Sequence, residues 1–177
     1  MKLYARIDAS TEDALVASLI TAARRHVELV TGRVLITQTW DGWLDDFPPN
    51  SGEIVLPFGK VQKLTTFSYT DIDGTTATVD ASTYDLDVDS DPGRIVLKYG
   101  ETWPAVTLAT KNPIKLNWDC GYGLAVSVPE DIKTAIKWMV ADLYENRGPT
   151  AASMTPGATI SNRAVEMLLA PYRIWKY

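Results

Sequence analysis

Two stretches whose apolar residues recur with a helical period bracket about 85 residues patterned like strands, and few folds accommodate that order. Between Val128 and Gly148, Ile132, Ala135, Ile136, Met139, Val140, Leu143 and Tyr144 fall at i, i+3, i+4, i+7, i+8, i+11 and i+12, one face of a helix. Pro129 suits the first helical position, Glu130 and Asp131 sit where the helix dipole favours negative charge, and Gly148-Pro149 supplies the stop. Trp138 projects beyond the edge of this stripe. It is expected either to lie under the chain's own other elements or to meet a neighbouring subunit. Leu15, Val16, Leu19, Ile20, Ala23, Val27 and Val30 keep the same spacing from about Ser10 to Thr31. Ser10 with Asp13 resembles a capping box, and Gly32 closes this first helix.

From Arg33 to about Trp118 the period becomes strand-like. Val34 to Trp40, Glu53 to Leu56 and Val61 to Tyr69 are rich in β-branched, aromatic and other apolar residues. Asp71-Ile72-Asp73-Gly74 predicts a hairpin turn with Thr75 to Val79 as its return strand. Tyr84 to Asp89 alternates, Asp91-Pro92-Gly93 turns, Arg94 to Tyr99 comes back, and Pro113 to Trp118 is the last strand. After the long helix, residues 148–162 read as a mobile uncharged loop, followed by a short helix from Ser161 to Leu169 that Pro171 cuts. The expected class is α+β. One domain spans 1–177, a small helical bundle formed by N- and C-terminal helices (about 10–31 and 129–177) with a long antiparallel β insertion (about 33–120).

A chain of 177 residues buries roughly 70% of the surface its unfolded form exposes. The single Cys120 and the single His26 exclude an intrachain disulfide and a Cys/His zinc cluster within one chain. No signal peptide and no run of apolar residues long enough for a membrane span is present, so a soluble chain made in the cytoplasm is expected. The net charge of −5 argues against a protein that grips DNA by neutralising phosphates. That charge is uneven. Seven aspartates and no basic residue lie strictly between Lys63 and Arg94, whereas Arg163, Arg173 and Lys176 face only Glu166 near the C-terminus.

Catalytic patterns are weak. The Asp71 turn begins like a calcium loop but has Ser82 where a bidentate Glu is needed. Asp85, Asp87 and Asp89 share one strand face and suggest a divalent cation, against a solvated face with Arg94 and Lys98 opposite. Cys120 reads as a buried thiol and His26 as a boundary histidine with local hydrogen bonds. No cofactor, metal ligand set or enzyme activity is expected from these patterns. The alternative kept is a soluble enzyme or metal-binding protein using the acidic strand face.

Four motifs occur in a telling order: Thr31 to Trp40 (TGRVLITQTW), Pro129 to Ile136 (PEDIKTAI), Leu143 to Arg147 (LYENR) and Leu168 to Arg173 (LLAPYR). Together they resemble the head-tail connector proteins of long-tailed bacteriophages, also called adaptor or head-completion proteins, over nearly the whole chain. The resemblance implies a structural protein of the virion neck, a ring of about twelve subunits between the portal and the tail or stopper protein. DNA would pass through its centre without specific binding, and no membrane is involved. A related neck or tail-completion ring protein is the third reading. Under this resemblance Tyr172, Arg173, Ile174, Trp175, Lys176 and Tyr177 are expected to dock to the portal. Trp138, and less firmly Tyr144, are expected in lateral packing or core. Asp85, Asp87 and Asp89 belong to acidic hairpins expected to meet a neighbouring subunit or the tail side.

Overall fold

The computed structural model describes residues 12–49, 52–146 and 158–174, the stretch 158–162 by its backbone alone. The chain is α+β and divides into two compact units, residues 1–33 with 127–177, and residues 34–126. Among the described residues no helix is long and apolar enough to cross a membrane.

The first unit is helical. Helix α1 (Asp13–Thr31) buries Val16, Ala23, Val27 and Thr31, and α2 (Glu130–Glu145) buries Ile132, Ala135 and Val140. Helix α3 (Ala158–Leu169) adds Val165 and Leu169 and runs into a 3₁₀ turn, Ala170–Tyr172. Each helix packs on the other two. Ala23 and Ala135 are fully buried, and such small side chains let helix axes approach closely. Thr31 is buried without cost because its hydroxyl donates to the Val27 carbonyl, 2.7 Å.

The ends of these helices differ in part from the sequence reading. Gly32 caps α1 as expected, with φ 70° and its N–H donating to Glu28 O at 2.9 Å. The Ser10 cap lies outside the described residues; the N-cap is Glu12, whose side chain makes no capping bond. Pro129 stands one residue earlier than expected, as N-cap of α2 with ψ 141°, and its carbonyl accepts the first bond from Lys133 N. The stop is Asn146 rather than Gly148. Its backbone N–H donates to the Asp142 carbonyl, and its side-chain amide donates to the same carbonyl and to Asp142 Oδ1. The expected mobile loop lies outside the described residues except for its end, where α3 starts at Ala158 instead of Ser161.

The second unit holds two antiparallel sheets. Strands β1 (Gln38–Leu44), β3 (Val61–Thr70), β4 (Thr76–Thr78) and β7 (Ile114–Cys120) form one, in the order β1-β7-β3-β4. Strands β2 (Ile54–Val55), β5 (Tyr84–Asp87) and β6 (Arg94–Leu97) form the other, in the order β2-β6-β5. The larger sheet alternates strictly along β7, burying Ile114, Leu116, Trp118 and Cys120. These pack with Phe67, Ile95, Leu56 and Val61 into a core that also takes Trp103, a residue with no strand signal around it. Trp103 stacks on Phe47 at 5.5 Å between centroids and donates its indole N–H to Gly52 O.

The first strand is displaced from its expected span. Val34 and Leu35 are buried but not in a ladder; Val34 N donates to Gly59 O, Tyr122 N to Leu35 O and Thr37 N to Gly123 O. These loop bonds satisfy the backbone that β-propensity alone assigned to a sheet, and pairing starts only at Gln38↔Cys120. The Asp71 turn forms as expected. Asp71 Oδ1 accepts from Asp73 N and Thr75 N, and Gly74 takes φ 83°. A side chain at Gly121 would be impossible without movement, because φ is +127° and a Cβ would lie 2.8 Å from the Ile36 carbonyl group.

Candidate functional site

Nothing in the described residues assembles a catalytic centre, so the candidate sites are surfaces. The three aspartates of the acidic hairpin do not form one open face. β5 ends at Asp87, and Asp89 lies beyond it, donating its backbone N–H to Asp87 Oδ1 at 3.1 Å. Asp87 also accepts from Ser90 Oγ at 2.7 Å and Arg94 Nε at 2.9 Å. These bonds, the Ser90 hydroxyl foremost, hold its carboxyl well below the usual carboxylate range. Asp85 faces Lys98 Nζ at 3.6 Å. Asp89 therefore lies off the strand on which it was expected, while Arg94 and Lys98 stand opposite Asp87 and Asp85 as the hairpin pattern suggests. Among the described residues no group of three His, Cys, Asp or Glu side chains is arranged to hold a metal ion.

Charge divides by unit. The sheet unit has thirteen Asp and Glu against six Lys and Arg, a net −7, and the helical unit nine against eleven, a net +2. Cys120 is fully buried and its thiol is pushed up to about 11, first by desolvation and then by Asp119. His26 is exposed and belongs to the other unit. The Cys120 thiol is therefore no activated nucleophile.

On α2, Trp138 keeps 36% of its surface exposed, so it is neither core nor free. Leu143, read as part of the buried stripe, stays 40% exposed, as does Leu15 on α1 at 37%. Tyr144 is half-buried and its hydroxyl hydrogen-bonds Glu12 of the same unit, which ties it into its own bundle.

The chain end turns back onto its own bundle as far as it is described. Tyr172 donates its hydroxyl to Asp131 Oδ2 at 3.0 Å and its carbonyl accepts from Arg33 Nε at 2.6 Å. Ile174 donates its N–H to Thr31 O at 2.9 Å, and its Cβ lies 3.5 Å from where a side chain on Gly32 would begin. Arg173 is half-buried, with its Nε buried and lacking a hydrogen-bond partner. Trp175, Lys176 and Tyr177 lie outside the described residues. As far as it is described, the segment expected to dock to the portal has its start, Tyr172 and Ile174, bonded to its own bundle through backbone and hydroxyl groups.

Sequence reading passed over Trp43. It is half exposed on β1, on the sheet face opposite Trp40. The signal was present, since tryptophans three positions apart in a strand point to opposite faces and only one can enter the core.

No protein-family model and no curated protein matches the chain. Solved structures do. A chain from a structure described as the neck of an empty GTA particle computed with C6 symmetry has a TM-score of 0.79 and 24% identity, covering 99% of this chain and 88% of that one. A chain from the neck of a native GTA particle computed with C12 symmetry has a TM-score of 0.75 and 24% identity, covering 93% and 85%. A third, from the virion of a native gene transfer agent (GTA) particle, has a TM-score of 0.74 and 22% identity, covering 97% and 82%. From end to end, this chain has the fold of chains found in these phage-like particles and their necks.

Proposed function

We propose that this chain is a structural protein of a virion neck, a ring adaptor between the portal and the tail or stopper protein, with DNA passing through its centre. The observation that carries the reading is the fold likeness over 99% of the chain to a chain from a C6 neck structure, with a C12 neck structure beside it. In this reading the helical and sheet units act as one connector domain, and the ring holds twelve copies. The four sequence motifs support it independently, since they occur in connector order. The acidic sheet unit suits a particle through which DNA slides without sticking.

Specific residues carry the contacts in this reading. Trp138 contributes its exposed part to the lateral contact, and Asp85, Asp87 and Asp89 stand on the acidic hairpins that meet a neighbour or the tail side. The segment Tyr172, Arg173, Ile174, Trp175, Lys176 and Tyr177 docks to the portal. Tyr172 and Ile174 tie its start to the bundle, so the anchor leaves from a defined point. Native mass measurement of the protein, alone over a concentration series and with a portal protein, tests the reading. Closed rings or a stoichiometric portal complex are expected. A chain that stays monomeric throughout and ignores the portal would refute it.

A further inference from the structure

The larger sheet has one long open edge. β1 pairs with β7 along its whole length and, among the described residues, with no strand on its other side. Every second residue from Gln38 to Leu44 therefore turns its backbone N–H and C=O outward without a ladder partner. Proteins usually guard such an edge with lysine, proline, a bulge or shortness. The run QTWDGWL has seven residues, no lysine, no proline and an unbroken register from Gln38↔Cys120 to Leu44↔Ile114. It presents Trp43 instead, 50% exposed.

The opposite edge of the same sheet is β4, where Thr76 and Thr78 are exposed and the run from Thr75 to Val79 carries no charge. In a unit of net −7 these two edge strands carry one charged residue between them, Asp41. Asp41, the one acid on β1, already accepts from Asn117 Nδ2 at 2.9 Å and has Lys115 at 3.9 Å. Two copies can therefore approach edge to edge without opposing like charges.

Topology matches the edges. Each strand is antiparallel to its neighbour and the sheet has four, so β1 and β4 run in opposite senses. A second copy in the same orientation brings its β4 antiparallel to β1, which continues the ladder with the same geometry. The register supplies a level: Trp43, Lys115, Ser68 and Thr78 form one row across the sheet on its polar face. A closed ring climbs nothing from one subunit to the next, so this row runs on when the strands lie along the ring axis.

Resting on the ring reading above, we infer that β1 of each copy pairs antiparallel with β4 of the next, with Trp43 beside the neighbour's Thr78, so that the sheets join into one continuous belt. The occupant of the edge is a second copy in head-to-tail contact, because that contact repeats and closes, whereas two β1 edges meeting about a two-fold axis stop at a dimer.

Engineered cysteines test this in the full-length protein. The variants W43C/T78C, D41C/T78C and T39C/T78C sample the level register and shifts of two and four residues, and the buried Cys120 does not compete. Under mild oxidation of assembled protein, at least one pair gives a ladder of covalent multimers on a non-reducing gel, while each single variant stays monomeric. Oligomers seen by native mass with no cross-link from any pair would overturn the edge pairing and leave the ring standing. A single W43C variant that cross-links to dimers overturns it in favour of a two-fold contact. Failure of the wild-type chain to form any oligomer, alone or on a portal, refutes the ring reading itself and the belt with it. Where a cysteine variant does not assemble, hydrogen exchange on the wild type decides: outward amides of Gln38–Leu44 slow by about tenfold or more on assembly, and unchanged rates count against the proposal.

Discussion

On the proposed lateral role, replacing Trp138 by alanine should separate folding from assembly, because the side chain is partly buried in its own subunit and partly exposed. With 36% of its surface exposed, Trp138 buries about two-thirds of itself in the monomer. A tryptophan carries about 250 Å² at most, so roughly 160 Å² is buried in the subunit and roughly 90 Å² is left for a partner. At about 25 cal/mol per Å² the buried part is worth up to about 4 kcal/mol, and the exposed part about 2 kcal/mol per lateral contact. Alanine keeps some of the first and the denatured chain already hides some, so a loss of about 2–3 kcal/mol in monomer stability is expected. That is less than the roughly 5–15 kcal/mol of a typical domain, and the monomer stays folded. Losing about 2 kcal/mol at the interface weakens each contact by roughly 30-fold, and a closed ring compounds it. Circular dichroism melting should show a cooperative transition lowered by about 5–10 °C. Native mass over a concentration series should show rings lost or displaced to much higher concentration. Rings that form at the wild-type concentration would refute the lateral role, and a variant without a native spectrum would put Trp138 in the core.

Deleting Ile174 to Tyr177 removes the Ile174 N–H bond to Thr31 O and its packing on Gly32, so a modest fall in melting temperature is expected together with loss of portal binding in a pull-down; retained binding would show that the portal is held elsewhere. The Asp87 carboxyl is depressed in the folded chain, so its contribution is present above the ordinary carboxylate range, near pH 4, and disappears as pH falls through its lowered value. Urea midpoints of Asp87→Asn should consequently converge on those of the wild type as pH drops below about 4, whereas parallel curves would show that Asp87 is not the group responsible. With its thiol pushed up to about 11 and buried, Cys120 should resist iodoacetamide at pH 8 in the native protein and react promptly in urea, and rapid native alkylation would contradict the burial.

Features set by near neighbours in the chain were legible in the sequence. Gly32 caps α1 because only a residue tolerant of positive φ ends a helix that way, and Asp71 with Gly74 builds its turn from its own side chain and the amides just after it. The helical period named α1 and α2, and the Asp87–Arg94 pairing follows from a hairpin whose strands are a few residues apart. The connector motifs pointed to a fold that the neck structures share.

What only the tertiary structure decided is whatever distant residues compete for. Val34 to Ile36 has the composition of a strand, yet its neighbourhood bonds to Gly59, Tyr122 and Gly123, and the ladder begins at Gln38 instead. Six tryptophans look alike in the sequence, but Trp118 is 2% exposed, Trp103 8%, Trp138 36% and Trp43 50%, because burial depends on which strand or helix arrives on each side. The sheet order β1-β7-β3-β4, which leaves β1 with an open edge, joins segments some 75 residues apart. The return of Tyr172 and Ile174 to Asp131, Arg33 and Thr31 likewise depends on how three helices pack together. Local pattern fixes backbone preference over a few residues at a few tenths of a kcal/mol each, whereas these long-range contacts are chosen by burial and hydrogen-bond satisfaction worth several times more.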